Sequence, residues 1–252
     1  MNDHAIIEQA VERLKSEFGS DLLGVLVGGS RIRSEGDPHS DLDIVVVVER
    51  PCRKRWNFVI DGVEVETLIN PPFQMRRYFE EERRDGRGVM PHLCSTAQII
   101  FDPQGLMATL QAEARAVWDA GPPPLLERDR WQFRYYAADA LRDLADVQPS
   151  DKERAMFLIG LILPMLINRH YRISGRRLLK PKRLFHDLET WDVDAARLAR
   201  QACNDKVALS DRCAAVRAMA DHVLAPLGGI MPMEWNTDWE ILEPTDGESS
   251  PV

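Results

Sequence analysis

Apolar residues recur at Ile6, Ile7, Ala10, Val11, Leu14 and Phe18. That is the spacing of one helical face, and it predicts an amphipathic helix over 4–18. The period then changes. Residues 22–27 and 41–49 are short, valine-rich apolar runs and predict strands, with Gly28-Gly29 ending the first. Ser30 is placed to cap a short helix or turn, and 34–40, with Gly36, Asp37 and Pro38, reads as a loop. Two further strand-like runs, 56–60 and 63–69, flank Asp61-Gly62, a hairpin signal. Pro71-Pro72 opens a helix over 73–84, followed by a short strand at 97–101 and a helix at 106–118.

Three prolines at 122–124 interrupt the chain, and beyond them the pattern is helical: about 127–146, 151–173, 181–190, 194–203 and 209–224. The expected fold is α+β. A small mixed sheet flanked by helices occupies 1–120, and an all-α helical bundle occupies 121–226, with a cleft between them. The tail, 227–252, has little periodicity, and is expected to pack partly through Trp235 and Trp239.

Composition narrows the setting. The formal net charge of −8 gives no global attraction for nucleic acid and would suit a cationic small molecule. Cys52, Cys94, Cys203 and Cys213 form no CxxC pair and read as reduced thiols of a cytoplasmic protein. The N-terminal segment is amphipathic and acidic, unlike a secretory signal. The most apolar stretch, 155–167, is short for a bilayer and carries Pro164, so a buried helix is expected and no membrane partner.

The second strand opens on Asp41-Leu42-Asp43. Alternation along a strand points both carboxylates the same way, where they repel unless a cation lies between them. Oxygen ligands of this kind form half a site for a hard divalent ion. Glu64 and Glu66, sharing a face of the hairpin strand, are the candidates for a third carboxylate. Upstream, Gly28-Gly29-Ser30 follows a strand and offers backbone N–H groups and a hydroxyl to phosphate. Neither a Walker A loop nor a Rossmann fingerprint is present.

Strand, Gly-Gly-Ser, short helix, loop and Asp-x-Asp at this spacing resemble the signature of the DNA polymerase β-like nucleotidyltransferase superfamily. The resemblance covers about 20–70, and the register from Asn70 puts Glu66 at the third acid position, with Glu64 as fallback. The helical half is similar in arrangement to that of aminoglycoside and kanamycin nucleotidyltransferases. Its basic segment, with Arg169, Arg172, Arg176, Arg177, Lys180, Lys182 and Arg183, would bring Lys180 near a triphosphate. An ordinary solvated face is the alternative.

The resemblance implies transfer of a nucleoside monophosphate, AMP for preference, from an NTP such as ATP to a hydroxyl, with release of pyrophosphate. Asp41 and Asp43 would hold one Mg2+, Asp43 and Glu66 a second, and Glu66 would receive the acceptor's proton. Gly28, Gly29 and Ser30 would bind phosphate, and Arg31, Arg33 or Lys180 would neutralise the leaving group, although the arginines would equally suit Glu35 and Asp37. The acceptor class expected first is a small molecule such as an aminoglycoside. The alternatives are tRNA or protein, as in toxin–antitoxin nucleotidyltransferases, and a non-catalytic nucleotide-binding module. Oligomeric state is open, a dimer included. His92, His170 and His186 read as ordinary helix or surface residues, and the basic turn of Arg50, Arg53, Lys54 and Arg55 as solvated.

Overall fold

The computed structural model describes residues 3–29, 31–32 and 41–237. Ser30, Arg33, the 34–40 loop and Trp239 lie outside the described residues. The chain divides into two compact units, one of 1–125 with 170–187, the other of 126–169 with 188–252. A single cut at the prolines does not describe this division, because 170–187 returns to the first unit.

The first unit runs α1 (Asp3–Phe18), β1 (Leu22–Gly28), β2 (Leu42–Val48), β3 (Lys54–Ile60), β4 (Val63–Asn70), α2 (Pro72–Arg84), α3 (Val89–Thr96), β5 (Gln98–Phe101) and α4 (Leu106–Asp119). The strands form one sheet in the order β3-β4-β2-β1-β5. β2 and β4 are parallel and the other pairs antiparallel. The valine runs are explained by burial on both faces of the central strands. One face, with Val25, Val27, Ile44, Val46, Val65 and Ile69, packs against Ile6, Ala10 and Leu14 of α1. The other, with Leu26, Val45, Val47 and Leu68, packs against Met75 and Phe79 of α2, Leu93 and Cys94 of α3, and Met107 and Leu110 of α4. The β3–β4 turn has Asp61 at φ +49° and Gly62 at φ +80°, the left-handed pair that a two-residue hairpin needs.

Helix α3 is absent from the sequence-based expectation, which assigns no element between 84 and 97, a stretch that contains Gly88 and Pro91. The structure reconciles them. Gly88 caps the helix at φ +66°, and Pro91 sits in its first turn, where a missing N–H costs no intrahelical bond. Strand β3 also begins earlier than its aromatic residues suggest. Lys54 and Arg55 belong to it, and such charged residues suit the edge position that β3 holds.

Segment 170–187 is fastened to the first unit by Arg177. Its guanidinium donates to the Val117 and Trp118 carbonyls at the end of α4, at 2.9 and 2.7 Å, and lies over the Trp118 ring. A cation at a helix C-terminus also complements the helix dipole. Desolvation and then the charge of Arg83 hold this guanidinium below its ordinary pKa.

The remaining helices are α5 (Glu127–Val147), α6 (Lys152–Ile173), α7 (Leu184–Trp191), α8 (Val193–Cys203) and α9 (Leu209–Leu224). In the second unit α8 and α5 both pack on α9. The apolar stretch of α6 buries Ile159, Ile162, Leu163, Leu166 and Ile167. Among the described residues no helix is long and apolar enough to cross a membrane. Trp235 packs on Trp131 and Tyr135, and Arg134 donates to the Gly229 carbonyl at 2.7 Å, so this part of the tail is fixed.

Candidate active site

The two central strands set the acids. In the parallel β2–β4 pair Asp43 is the register partner of Glu66, and in the antiparallel β1–β2 pair it is the partner of Gly28. Asp41 precedes β2 on the same side. One carboxylate oxygen from each of Asp41, Asp43 and Glu66 lies within 4.8 Å of the others. Glu64 shares the face of Glu66 but is exposed and accepts from the Asn57 amide at 3.1 Å, outside this trio. Three partly buried carboxylates, with no sulfur or nitrogen donor among them, fit a hard divalent cation and are the wrong set for a soft one. Arg55 of β3 supplies positive charge on one side, donating to Glu66 at 2.5 Å.

Gly29 lies flat against the acids. Its φ is +89°, and a Cβ built there would stand 2.1 Å from Asp43 Oδ2. The glycine pair therefore has two separate duties. Gly28 admits Leu93 of α3, whose methyl lies 2.7 Å from where a Cβ would be, and Gly29 admits the Asp43 carboxylate.

A cavity of about 200 Å³ opens from this point, wholly within the first unit. Gly29 and Asp43 line one end. His92 and Trp118, with ring centroids 4.4 Å apart, line its wall together with Leu178 and Leu179. Arg87, Lys180, Lys182 and Arg183 bring four cations to it. Lys180 thus lines the same cavity as Asp43. Arg31 does not line this cavity, and donates to Asp3 of α1 at 2.8 Å. Arg169 is also turned to structure. It is buried in the second unit, donates to the Phe133 carbonyl at 2.8 Å and lies over that ring, and desolvation pushes its pKa down to about 10. His92, Trp118 and Arg87 were missed as cavity residues. Only the unexpected α3 and the return of 170–187 bring them together.

Residues 7–89 match the family described as the nucleotidyltransferase domain. The chain carries a nucleotidyltransferase domain. The match spans α1, the four strands β1 to β4 that hold the acids, and α2, consistent with the DNA polymerase β-like superfamily. Domains of this kind act on an NTP with a divalent metal and support transfer of a nucleoside monophosphate. No curated protein matches the sequence. Among solved structures, a nucleotidyltransferase-like protein from Exiguobacterium sibiricum is similar in fold. The TM-score is 0.53 at 16% identity, over 87% of this chain and 74% of that one.

One further carboxylate sits in the nucleotidyltransferase domain. Glu82 of α2 accepts from the Met90 N–H at 2.6 Å and so caps α3. Desolvation, only partly offset by this hydrogen bond, holds its pKa above the ordinary 4.5. The folded state therefore keeps the proton to higher pH than the unfolded chain does. Stability contributed at low pH is lost as pH rises from the ordinary value through the folded one. Thermal melts between about pH 4 and pH 7 should show this decline in the natural protein and a flatter profile in Glu82→Gln, whose amide oxygen still caps α3.

Proposed function

We propose that this chain is a metal-dependent nucleotidyltransferase that moves an NMP from an NTP such as ATP to an acceptor hydroxyl and releases pyrophosphate. The observation that carries this is the meeting of Asp41, Asp43 and Glu66 at the Gly29 end of a cavity walled by Lys180 and its neighbouring cations. Asp41 and Asp43 would hold one magnesium ion, and Asp43 and Glu66 a second. When bound, such ions polarise the phosphates and lower the pKa of the acceptor hydroxyl.

The protein's own groups have defined tasks in this reading. The Gly29 backbone lets a phosphate approach without a side chain in the way. Lys180, Lys182, Arg183 and Arg87 bind the triphosphate and offset the charge that grows on the departing pyrophosphate. Trp118 and His92 give an apolar, stackable wall to the base or sugar. A volume of about 200 Å³ takes part of a nucleotide, and the rest extends along the exposed Lys182 and Arg183. Glu66 accepts the proton of the acceptor hydroxyl as its oxygen forms a bond to the α-phosphorus. The bond from that phosphorus to the bridging oxygen breaks, and pyrophosphate leaves with the electron pair. Four free cysteines and the need for NTP suit the cytoplasm.

Calorimetry with ATP tests the donor site. ATP should bind in the presence of magnesium, with affinity falling about ten-fold in Lys180→Ala and by more when magnesium is withheld. Binding indifferent to both changes would remove the reading.

A further inference from the structure

A second cavity, of about 510 Å³, lies in the same unit on the Glu66 side of the acids. It is lined by Arg53, by Lys54 and Arg55 of β3, by Leu68 and Asn70 of β4, by Tyr78 and Glu82 of α2, and by Met90 of α3. Leu68 and Asn70 follow Glu66 at two-residue steps and so share its face of the sheet. Arg55 connects the two places, since it lines the cavity and donates to Glu66. An acceptor seated here would present its hydroxyl to the proposed proton acceptor from the side away from the Gly29 cavity. In-line displacement calls for this, with the attacking group entering opposite the leaving group.

The lining states what kind of acceptor fits. Arg53 donates to the Tyr78 hydroxyl at 3.0 Å and has no carboxylate partner among the described residues. Asn70 is 4% exposed and lines the cavity, so its amide is available on the cavity side. Lys54 contributes less to the field, because its ammonium turns to Glu17 at 3.6 Å and lies over Trp56. Glu82 is the one carboxylate in the lining, and the Met90 N–H already holds it. Two guanidiniums, a phenol and an amide around a cavity of nucleotide size make a phosphate and ring site. A polycationic amine would meet two arginines with one engaged carboxylate to offset them.

We infer that the acceptor of this nucleotidyltransferase is a phosphate-bearing nucleotide unit, held by Arg53, Arg55, Asn70 and Tyr78 with its hydroxyl at Glu66. This rests on the transferase reading above and specifies its second substrate. It departs from the expectation of an aminoglycoside-like acceptor. That expectation followed from the net charge of the whole chain, whereas the lining of this cavity carries the opposite sign.

The test separates acceptor binding from catalysis. An Asp43→Asn background, which cannot complete transfer, is titrated with a fluorescent single-stranded RNA pentanucleotide ending in a free 3′-hydroxyl, followed by anisotropy. An unlabelled nucleoside monophosphate and an aminoglycoside serve as competitors. Binding should weaken about ten-fold with added Arg53→Glu, and by a similar factor with Asn70→Leu. The monophosphate should compete and the aminoglycoside should not. RNA binding well ahead of the monophosphate would assign the nucleotide unit to an RNA end, and parity would assign it to a free nucleotide. Binding indifferent to both substitutions, or displaced by the aminoglycoside, would overturn the inference. Failure of the transferase reading shows elsewhere, as magnesium-indifferent ATP binding in the natural protein.

Discussion

Asp43→Asn should reduce nucleotidyl transfer by at least about a thousand-fold and at the same time raise the melting temperature measured without metal. The two effects have one origin. Asp43 is the central acid, the register partner of both Gly28 and Glu66, and it is the carboxylate that both proposed ions would share. In the absence of a cation, three carboxylates with oxygens within 4.8 Å of one another repel. At an effective dielectric near 20 each pair costs on the order of 3 kcal/mol. Arg55, bonded to Glu66, offsets part of this. Asparagine keeps the shape and removes one charge, so the metal-free fold gains while the cation site is lost. Melts with and without magnesium, alongside a pyrophosphate-release assay, check both halves. Magnesium should raise the melting temperature of the natural protein and leave the variant unmoved. A variant that melts lower without metal, or that retains transfer, would show that the carboxylates are not poised for a cation.

Gly29→Ala should cost about a hundred-fold in kcat/KM, far more than any loss of stability explains. Two penalties meet at this residue. A side chain at φ +89° is strained by roughly 1–2 kcal/mol wherever it occurs. The added methyl would also stand 2.1 Å from Asp43 Oδ2, so the carboxylate must move. Gly62 separates these terms, because its φ is +80° but its Cβ would enter open space at the hairpin tip. Gly62→Ala should lose about 1 kcal/mol of stability and keep full activity. Equal activity losses in the two variants would mean that backbone strain, and not the encounter with Asp43, governs the site.

How far the sequence carries can be argued from these residues. The Asp-x-Asp pair, the glycine pair and the hairpin were readable because local rules fix them: strand alternation, left-handed turn geometry, and a loop too short to rearrange. The choice of Glu66 over Glu64 for the trio was open on spacing alone, since both share a face. It is decided by the parallel register of β2 on β4, a pairing between segments that are not adjacent in the chain. Helix α3 was hidden because it is only eight residues long and holds a proline, although a glycine cap and a proline in the first turn are both at home at a helix start. The basic segment showed the opposite weakness. Its cations looked like one set, yet they serve different ends. Arg169 is buried against Phe133, Arg177 clamps the end of α4, and Lys180, Lys182 and Arg183 line the Gly29 cavity. Burial and partners separate them, and neither is written in charge or spacing.

The return of 170–187 to the first unit has a bearing on how the protein comes into being. The acids are made early, on a sheet that is complete once β5 has been synthesised. Lys180, Lys182 and Arg183, which wall the Gly29 cavity, arrive only after α5 and α6. During synthesis the acids and Arg87 are thus made well before the other three cations of the cavity. For the same reason a fragment ending near residue 125 would keep the sheet and its acids but lose Lys180, Lys182, Arg183 and the Arg177 clamp. The unit that holds both the acids and these cations is not one uninterrupted stretch of the chain.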